Sequence, residues 1–173
     1  MSRWKKIAIG VVLLGVGVFA ALTWYKFTFS MDVAKPFEAG DASAQQRVLI
    51  ATQGSDFKNA VVDGVVAELK KQPVFVKVID VSGLGAVDAS KWQVIVVLHT
   101  WESWKPPAAV KAFVDRTPDR ANVIALATSG GGGEKLEDVD AIASASKMTD
   151  VPTHVAALMA RIEALLAKQE NSQ

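Results

Sequence analysis

The sequence contains no cysteine, which excludes disulfides, thiolate metal ligands and a cysteine nucleophile. Its only histidines, His99 and His154, are far apart and lack the spacing typical of metal ligands. Basic and acidic residues nearly balance, with 19 Lys and Arg against 18 Asp and Glu. Such a chain has no strong net field for attracting nucleic acid. We therefore predict neither a metal site nor nucleic-acid binding.

One long uncharged segment lies near the N-terminus. Residues 7–25 read IAIGVVLLGVGVFAALTWY, and as a helix rising about 1.5 Å per residue they can cross about 30 Å of hydrocarbon. Arg3, Lys5 and Lys6 precede this segment. Because positive charge is retained on the cytoplasmic side, we expect a cytoplasmic N-terminus and a periplasmic soluble domain. The bilayer is thus a predicted partner, through residues 7–25.

Aromatic residues flank the apolar segment and could anchor it at the two water interfaces: Trp4 on one side, and Trp24 with Tyr25 on the other. The alternative is a cleaved signal peptide, because residues 18–20 (VFA) offer small residues at a suitable distance. We favour the anchor because the apolar run continues past that point and ends in aromatic residues and Lys26.

After the anchor, the sequence predicts one folded domain. A polar stretch containing proline and glycine is expected to act as a linker that lets the domain stand clear of the lipid. Neither an internal repeat nor a second domain is expected. The predicted divisions are a cytoplasmic tip and anchor at residues 1–26, a linker at 27–46, the domain at 47–168 and a polar tail at 169–173.

Short apolar segments alternate with segments of helical periodicity in the predicted domain. The predicted strands are residues 47–51, 74–81, 92–98, 122–127 and 139–146. The predicted helices are 57–71, 108–115 and a last helix that starts near Pro152 and has its apolar positions within 155–166. Residues 74–81 alternate apolar and charged side chains, which favours a strand exposed on one face or at an edge. The alternation indicates an α/β fold with a doubly wound parallel sheet of about five strands. Its ligand cleft is expected beyond the carboxyl ends of the strands.

The segment from Val94 to Arg116 resembles the third strand, aromatic loop and following helix of flavodoxin-like proteins. The residues that match are Trp101, Trp104, Pro106, Pro107, Val110 and Phe113. Together with the order of the elements and a glycine-rich turn after the fourth strand, the resemblance covers residues 47–168. It implies a flavodoxin-like, FMN-binding flavoprotein that acts as an electron carrier or FMN-dependent oxidoreductase. Its partner would be a quinone or a redox protein.

The resemblance implies that three loops hold the FMN. The first binds the phosphate at a helix N-terminus, the second stacks an indole on the isoalloxazine, and the glycines of the third allow close approach. The implied residues are Thr52, Gln53, Gly54, Ser55, Asp56, Phe57, His99, Thr100, Trp101, Trp104, Thr128, Ser129, Gly130, Gly131 and Gly132. His99 could tune a bound ring, or could be a hydrogen-bonded structural residue.

The first loop departs from the family pattern. It supplies hydroxyls only from Thr52 and Ser55, and it has Gly54 and Phe57 where further hydroxyls are expected. The carboxylate of Asp56 would repel a phosphate unless it turned away to cap the helix. These departures favour, as an alternative, a non-catalytic interaction module that has lost FMN, with tryptophans that seal the sheet edge or touch lipid headgroups. A third interpretation is an NAD(P)H-dependent quinone reductase, for which the sequence identifies no nicotinamide site.

Overall fold

The computed structural model describes residues 2–29, 31–102 and 104–170. The chain divides into two compact units, residues 1–31 and 32–173. The first unit consists of helix α1 (Arg3–Phe29), and its segment Arg3–Trp24 is long and apolar enough to cross a membrane. The most apolar stretch of this segment has no residue buried, as expected of a helix that faces lipid on all sides.

The aromatic anchors are described in part. Trp4 and Trp24 are exposed near the two ends of the apolar segment, whereas the side chain of Tyr25 lies outside the described residues. A helix of membrane-spanning length is therefore confirmed. Its orientation in the bilayer stays a prediction.

The second unit is built on a six-stranded sheet with the order β1-β3-β2-β4-β5-β6. Strands β2 to β6 pair in parallel, and β1 pairs antiparallel with β3. This confirms the predicted α/β class with a mostly parallel sheet. The strands are β1 (Phe37–Gly40), β2 (Gln46–Thr52), β3 (Val74–Asp80), β4 (Val94–Thr100), β5 (Val123–Thr128) and β6 (Asp140–Ser144).

Three α-helices cover the two faces of the sheet: α2 (Asp56–Leu69), α3 (Ala108–Arg116) and α4 (Val151–Glu170). Helices α2 and α4 pack on one face, and α3 packs on the other beside a 3-10 helix at Val81–Ala86. Since both faces are buried, β4 needs an unbroken apolar run rather than alternation. The last residues of the predicted tail, 171–173, lie outside the described part of the chain.

The predicted linker contributes an edge strand, β1, to the sheet. Glu38 of β1 lies directly opposite Lys77 of β3, and their side chains form an ion pair of 2.9 Å. Strand β3 is therefore covered by β1 and does not form the sheet edge. At the end of β1, Gly40 has a φ of +79°, and a Cβ there would lie 2.0 Å from the carbonyl oxygen of Val74, so only glycine fits.

Helices α2 and α4 approach each other closely at Gly64. A Cβ on Gly64 would lie 2.6 Å from Cγ2 of Val155, which is too short for any real contact. The glycine that weakens the helix by its own propensity is thus required by the packing between the two helices.

Candidate functional site

The parallel strands β2 to β6 end at one side of the sheet, which we call the carboxyl edge. Their last residues are all polar: Thr52, Asp80, Thr100, Thr128 and Ser144. The three loops that sequence reasoning implicated begin at the ends of β2, β4 and β5 and therefore share this edge. Ligands of doubly wound sheets bind beyond it, so the carboxyl edge is the candidate site.

The Gln53 side chain connects the first loop to the aromatic loop. Its Nε2 donates to Oε1 of Glu102 at 3.0 Å, and its Oε1 accepts from the backbone N–H of Thr100 at 2.6 Å. Gln53 is itself buried. The two loops therefore converge, and a buried amide occupies the space where they meet.

A buried lysine lies at the same place. Lys58, in the first turn of α2, is only 1% exposed, and its Nζ donates to Oγ1 of Thr100 at 2.7 Å. That oxygen lies 2.9 Å from Oγ1 of Thr128. Burial lowers the pKa of Lys58 to about 8, and the nearby carboxylate of Glu102 partly opposes this shift. The lysine thus links α2 to the ends of β4 and β5.

Sequence reasoning missed Lys58, although its position carries a signal. It precedes Val61, Val62 and Val65 by three, four and seven residues. Those spacings place Lys58 on the buried face of the helix, and a cation at such a position needs a polar partner.

The backbone of the first loop is covered by a segment from earlier in the chain. The N–H of Gly54 donates to the carbonyl of Asp32 at 2.6 Å, and the N–H of Asp32 donates back to Gly54 at 3.1 Å. The N–H of Gln53 donates to the carbonyl of Leu98 at 3.2 Å. A Cβ on Gly54 would lie 2.7 Å from the carbonyl oxygen of Asp32. The glycine therefore accommodates the protein's own backbone.

The rest of the first loop starts helix α2. Ser55 is its N-cap, and the Ser55 hydroxyl accepts from the backbone N–H of Lys58 at 3.3 Å. Asp56 is exposed in the first helical turn, where the helix dipole favours a negative charge. Phe57 is buried in the core, with its ring edge-on to His154 at 5.6 Å. Phe57 therefore packs between α2 and α4 and belongs to the core rather than to a binding loop.

The two tryptophans of the aromatic loop differ in exposure. Trp101 is half-buried, and its Nε1 is fully buried. Trp104 is 89% exposed with a φ of +64°, at a turn closed by two backbone hydrogen bonds between Glu102 and Lys105 of 2.9 and 3.2 Å. Ser103, in the same turn, lies outside the described residues. The tryptophans therefore do not form two similar platforms.

His99 is fully buried on the α3 face of the sheet. Its ring lies 6.4 Å from that of Trp101. In the described ranges, neither ring nitrogen of His99, nor Nε1 of Trp101, has a hydrogen-bond partner of normal geometry. Burial lowers the pKa of His99 to about 4; an interaction with the Thr100 backbone opposes this shift, and the Lys58 charge adds to it. The ring is therefore neutral at physiological pH. Both interpretations of His99, as a residue that tunes a bound ring and as a structural residue, stay predictions.

The third loop folds back on itself. The Ser129 hydroxyl accepts from the N–H of Gly132 at 2.9 Å and donates to the carboxylate of Glu134. This hydrogen bond holds the pKa of Glu134 below its ordinary value. Gly132 has a φ of +70°, and a Cβ there would lie 3.0 Å from Ala145. By contrast, Gly130 and Gly131 have open space around them.

These contacts test whether the residues fit an FMN phosphate. Phosphate binding at a helix N-terminus needs hydroxyls and backbone N–H groups that point at the anion. Here the N–H of Gly54 bonds to Asp32, the Ser55 hydroxyl caps α2, and Asp56 adds a negative charge. The first loop does not fit the phosphate. FMN binding stays a prediction that this loop geometry opposes.

A cavity of about 720 Å³ lies at the opposite, amino-terminal end of the strands. Its lining includes Trp92, Arg116 and Asn122, and it includes no predicted site residue. In the portion of the chain that the structure describes, no group of three or more His, Asp or Glu residues could hold a metal ion.

Comparisons with protein-family models and with curated proteins gave no match for the chain.

Proposed function

We propose that the protein is a membrane-anchored module of flavodoxin-like design whose carboxyl edge is a contact surface rather than an FMN site. Without the antiparallel β1, the strand order β3-β2-β4-β5-β6 corresponds to the 2-1-3-4-5 order of flavodoxin-like sheets. The bases Arg3, Lys5 and Lys6 favour a cytoplasmic N-terminus and a periplasmic domain.

One observation carries this proposal: Asp32 pairs with Gly54 through two backbone hydrogen bonds. The pairing uses one of the backbone N–H groups of the first loop, which is the loop that would hold a phosphate. The chain of Lys58, Thr100 and Thr128 then joins the ends of the central strands through short hydrogen bonds. A satisfied buried polar network makes its surroundings rigid and specific, which suits a scaffold that presents its loops to a partner.

A second candidate function is FMN-dependent electron transfer with a quinone or redox protein. It is favoured by the buried nitrogens of His99 and Trp101, which have no partner in the described residues. Buried polar groups are generally hydrogen-bonded, so a ligand or an ordered water beside the aromatic loop would complete these two side chains.

Titration of FMN against the full-length protein in nanodiscs separates the two candidates. Because a stacked flavin loses fluorescence, binding is read from quenching of FMN emission. We expect no saturable quenching and no flavin in the purified protein. Stoichiometric quenching that is weakened by Trp101→Phe would reject the contact module in favour of the electron carrier.

A further inference from the structure

The exposed large apolar side chains of the folded unit cluster toward its carboxyl edge. From Asp32 onward, within the described residues, they are Val33 at 76%, Phe37 at 39%, Trp104 at 89% and Met148 at 55% exposure. Phe37 lies opposite Val78, near the carboxyl end of β3. The other three lie beyond the ends of the strands.

Three of these residues are spread along the carboxyl edge. Val33 lies by the ends of β2 and β3, because Asp32 pairs with Gly54 and the N–H of Ala34 donates to Asp80 Oδ2 at 2.9 Å. Trp104 follows β4, and Met148 follows β6. The five parallel strands span about 19 Å at about 4.8 Å between neighbours. Separate apolar side chains spread over that width suit a flat, extended partner better than a small molecule.

The chain also enters the folded unit at this edge. Asp32, which is paired with Gly54, comes three residues after Phe29, the last residue of α1. Three residues can span at most about 11 Å. Most of the stretch expected to be a linker, residues 27–46, falls in the second compact unit. The short segment that follows α1 thus leads into the folded unit at its carboxyl edge.

The conformation of Trp104 supports a role outside the fold. A positive φ is unfavourable for a residue with a bulky side chain and costs about 1–3 kcal/mol. Here the turn between Glu102 and Lys105 holds it while directing the indole into solvent. An exposed indole has a flat apolar ring and one N–H donor, a combination suited to the boundary between lipid headgroups and acyl chains.

Charges near the edge are mixed. The basic residues are Lys35, Lys105 and Lys147, and the acidic residues are Asp32, Asp56, Asp80, Glu102, Glu134 and Asp150. Since basic residues do not dominate, attraction to anionic lipid is not the driving force. Insertion of apolar side chains, which does not require a charged headgroup, fits this composition.

We propose that the carboxyl edge rests on the bilayer surface, with Trp104, Val33 and Met148 inserted among zwitterionic headgroups. This inference rests on the proposed function, since it needs the anchor in a membrane and identifies the partner of the contact surface. It assigns to the edge a lipid partner that holds the domain in one orientation.

The absence of cysteine makes a direct test practicable. A nitroxide is attached to Lys105→Cys in the full-length protein, which is reconstituted in phosphatidylcholine nanodiscs. The matched control is Lys91→Cys, an exposed position at the opposite end of β4. The relaxation of the nitroxide's electron spin by oxygen, which concentrates in lipid, is compared with its relaxation by a water-soluble nickel complex.

We expect the label at residue 105 to be relaxed more strongly by oxygen and the label at residue 91 to be relaxed more strongly by the nickel complex. Adding Trp104→Ala to Lys105→Cys should move that label toward the nickel response, while circular dichroism stays unchanged. Equal nickel exposure at both positions would overturn the inference. So would strong spin–spin coupling between labels at residue 105 of two copies, because the edge would then be covered by a second chain. Neither result depends on FMN, whose binding is measured separately.

Discussion

At the scale of single residues, the carboxyl edge contains a buried cation, the ammonium group of Lys58. Lys58 keeps its ammonium next to the hydroxyl of Thr100, and Thr100 is in turn within hydrogen-bond distance of Thr128. Burying a charge is costly unless it is compensated by polar partners. Because the charged form is disfavoured in the folded state, Lys58 should make stability depend on pH.

The pKa of Lys58 is lowered from 10.5 to about 8 in the folded protein. Between those values the unfolded chain holds a proton that the folded chain has lost. The free energy of unfolding should therefore rise from about pH 8 to about pH 10.5, by up to about 3 kcal/mol. Urea unfolding in detergent, followed by near-ultraviolet circular dichroism, measures this rise. Lys58→Met should abolish the rise in the free energy of unfolding, whereas the control Lys71→Met, at an exposed lysine, should keep it. A rise that persists in Lys58→Met would contradict its assignment to Lys58.

His99 leads to a second prediction about how stability depends on pH, here below neutral pH. Its pKa is lowered from 6.5 to about 4 by burial, so the unfolded chain takes up a proton first as the pH falls. Stability should be lost as pH decreases from about 6.5 to about 4, and His99→Leu should remove that loss. Near neutral pH, the same substitution should raise the free energy of unfolding by about 1–3 kcal/mol, since it removes unpartnered buried nitrogens. Lower stability of His99→Leu near neutral pH would indicate that a ligand or water satisfies the ring.

At the scale of elements, the contact between α2 and α4 depends on Gly64. Replacing a helical glycine by alanine usually gains up to about 1 kcal/mol. At this position, however, the new methyl group would meet Cγ2 of Val155, and overpacking typically costs about 1–3 kcal/mol. We expect Gly64→Ala to lower the midpoint of urea unfolding. Adding Val155→Ala should recover part of the loss; equal or higher stability of Gly64→Ala alone would contradict the packing described here.

The sequence predicted elements whose periodicity is local. Strands β2 to β6 and the three α-helices of the folded unit are found close to the predicted ranges, because apolar runs and helical spacing report directly on burial. Strand β1 was missed because its four residues, FEAG, show no strand pattern of their own. It forms because its backbone pairs with β3, and that long-range pairing leaves no periodic signal.

The candidate site was harder to predict for the same reason. The sequence places Thr52, Thr100 and Thr128 in loops that follow predicted strands, and the structure makes all three the last residues of strands at one edge. It does not reveal that Asp32 returns to cover Gly54, since this depends on a pairing across 22 residues. The sequence implies a cofactor contact for Phe57 by resemblance, whereas its helical spacing with Val61 and Val65 matches the core position that the structure shows. Both outcomes change how the first loop is interpreted.

At the scale of the whole molecule, an apolar helix of membrane-spanning length precedes an α/β unit that the chain enters at its carboxyl edge. At the edge where doubly wound sheets bind ligands, Asp32, Gln53 and Lys58 make hydrogen bonds within the protein. In the proposed account, the exposed apolar side chains of the carboxyl edge contact the membrane. The edge then serves as a rigid contact surface instead of a cofactor site.

The amide of Gly54 is the most direct reporter of this account. Its N–H bonds to Asp32 in the structure, and Gly54 lies in the loop that would hold the phosphate if FMN were bound. The measurement is the nitrogen-15 NMR spectrum of the full-length protein in nanodiscs during addition of FMN. We predict that the Gly54 resonance does not move; a shift that saturates with FMN would contradict the proposal that the carboxyl edge is a contact surface rather than an FMN site.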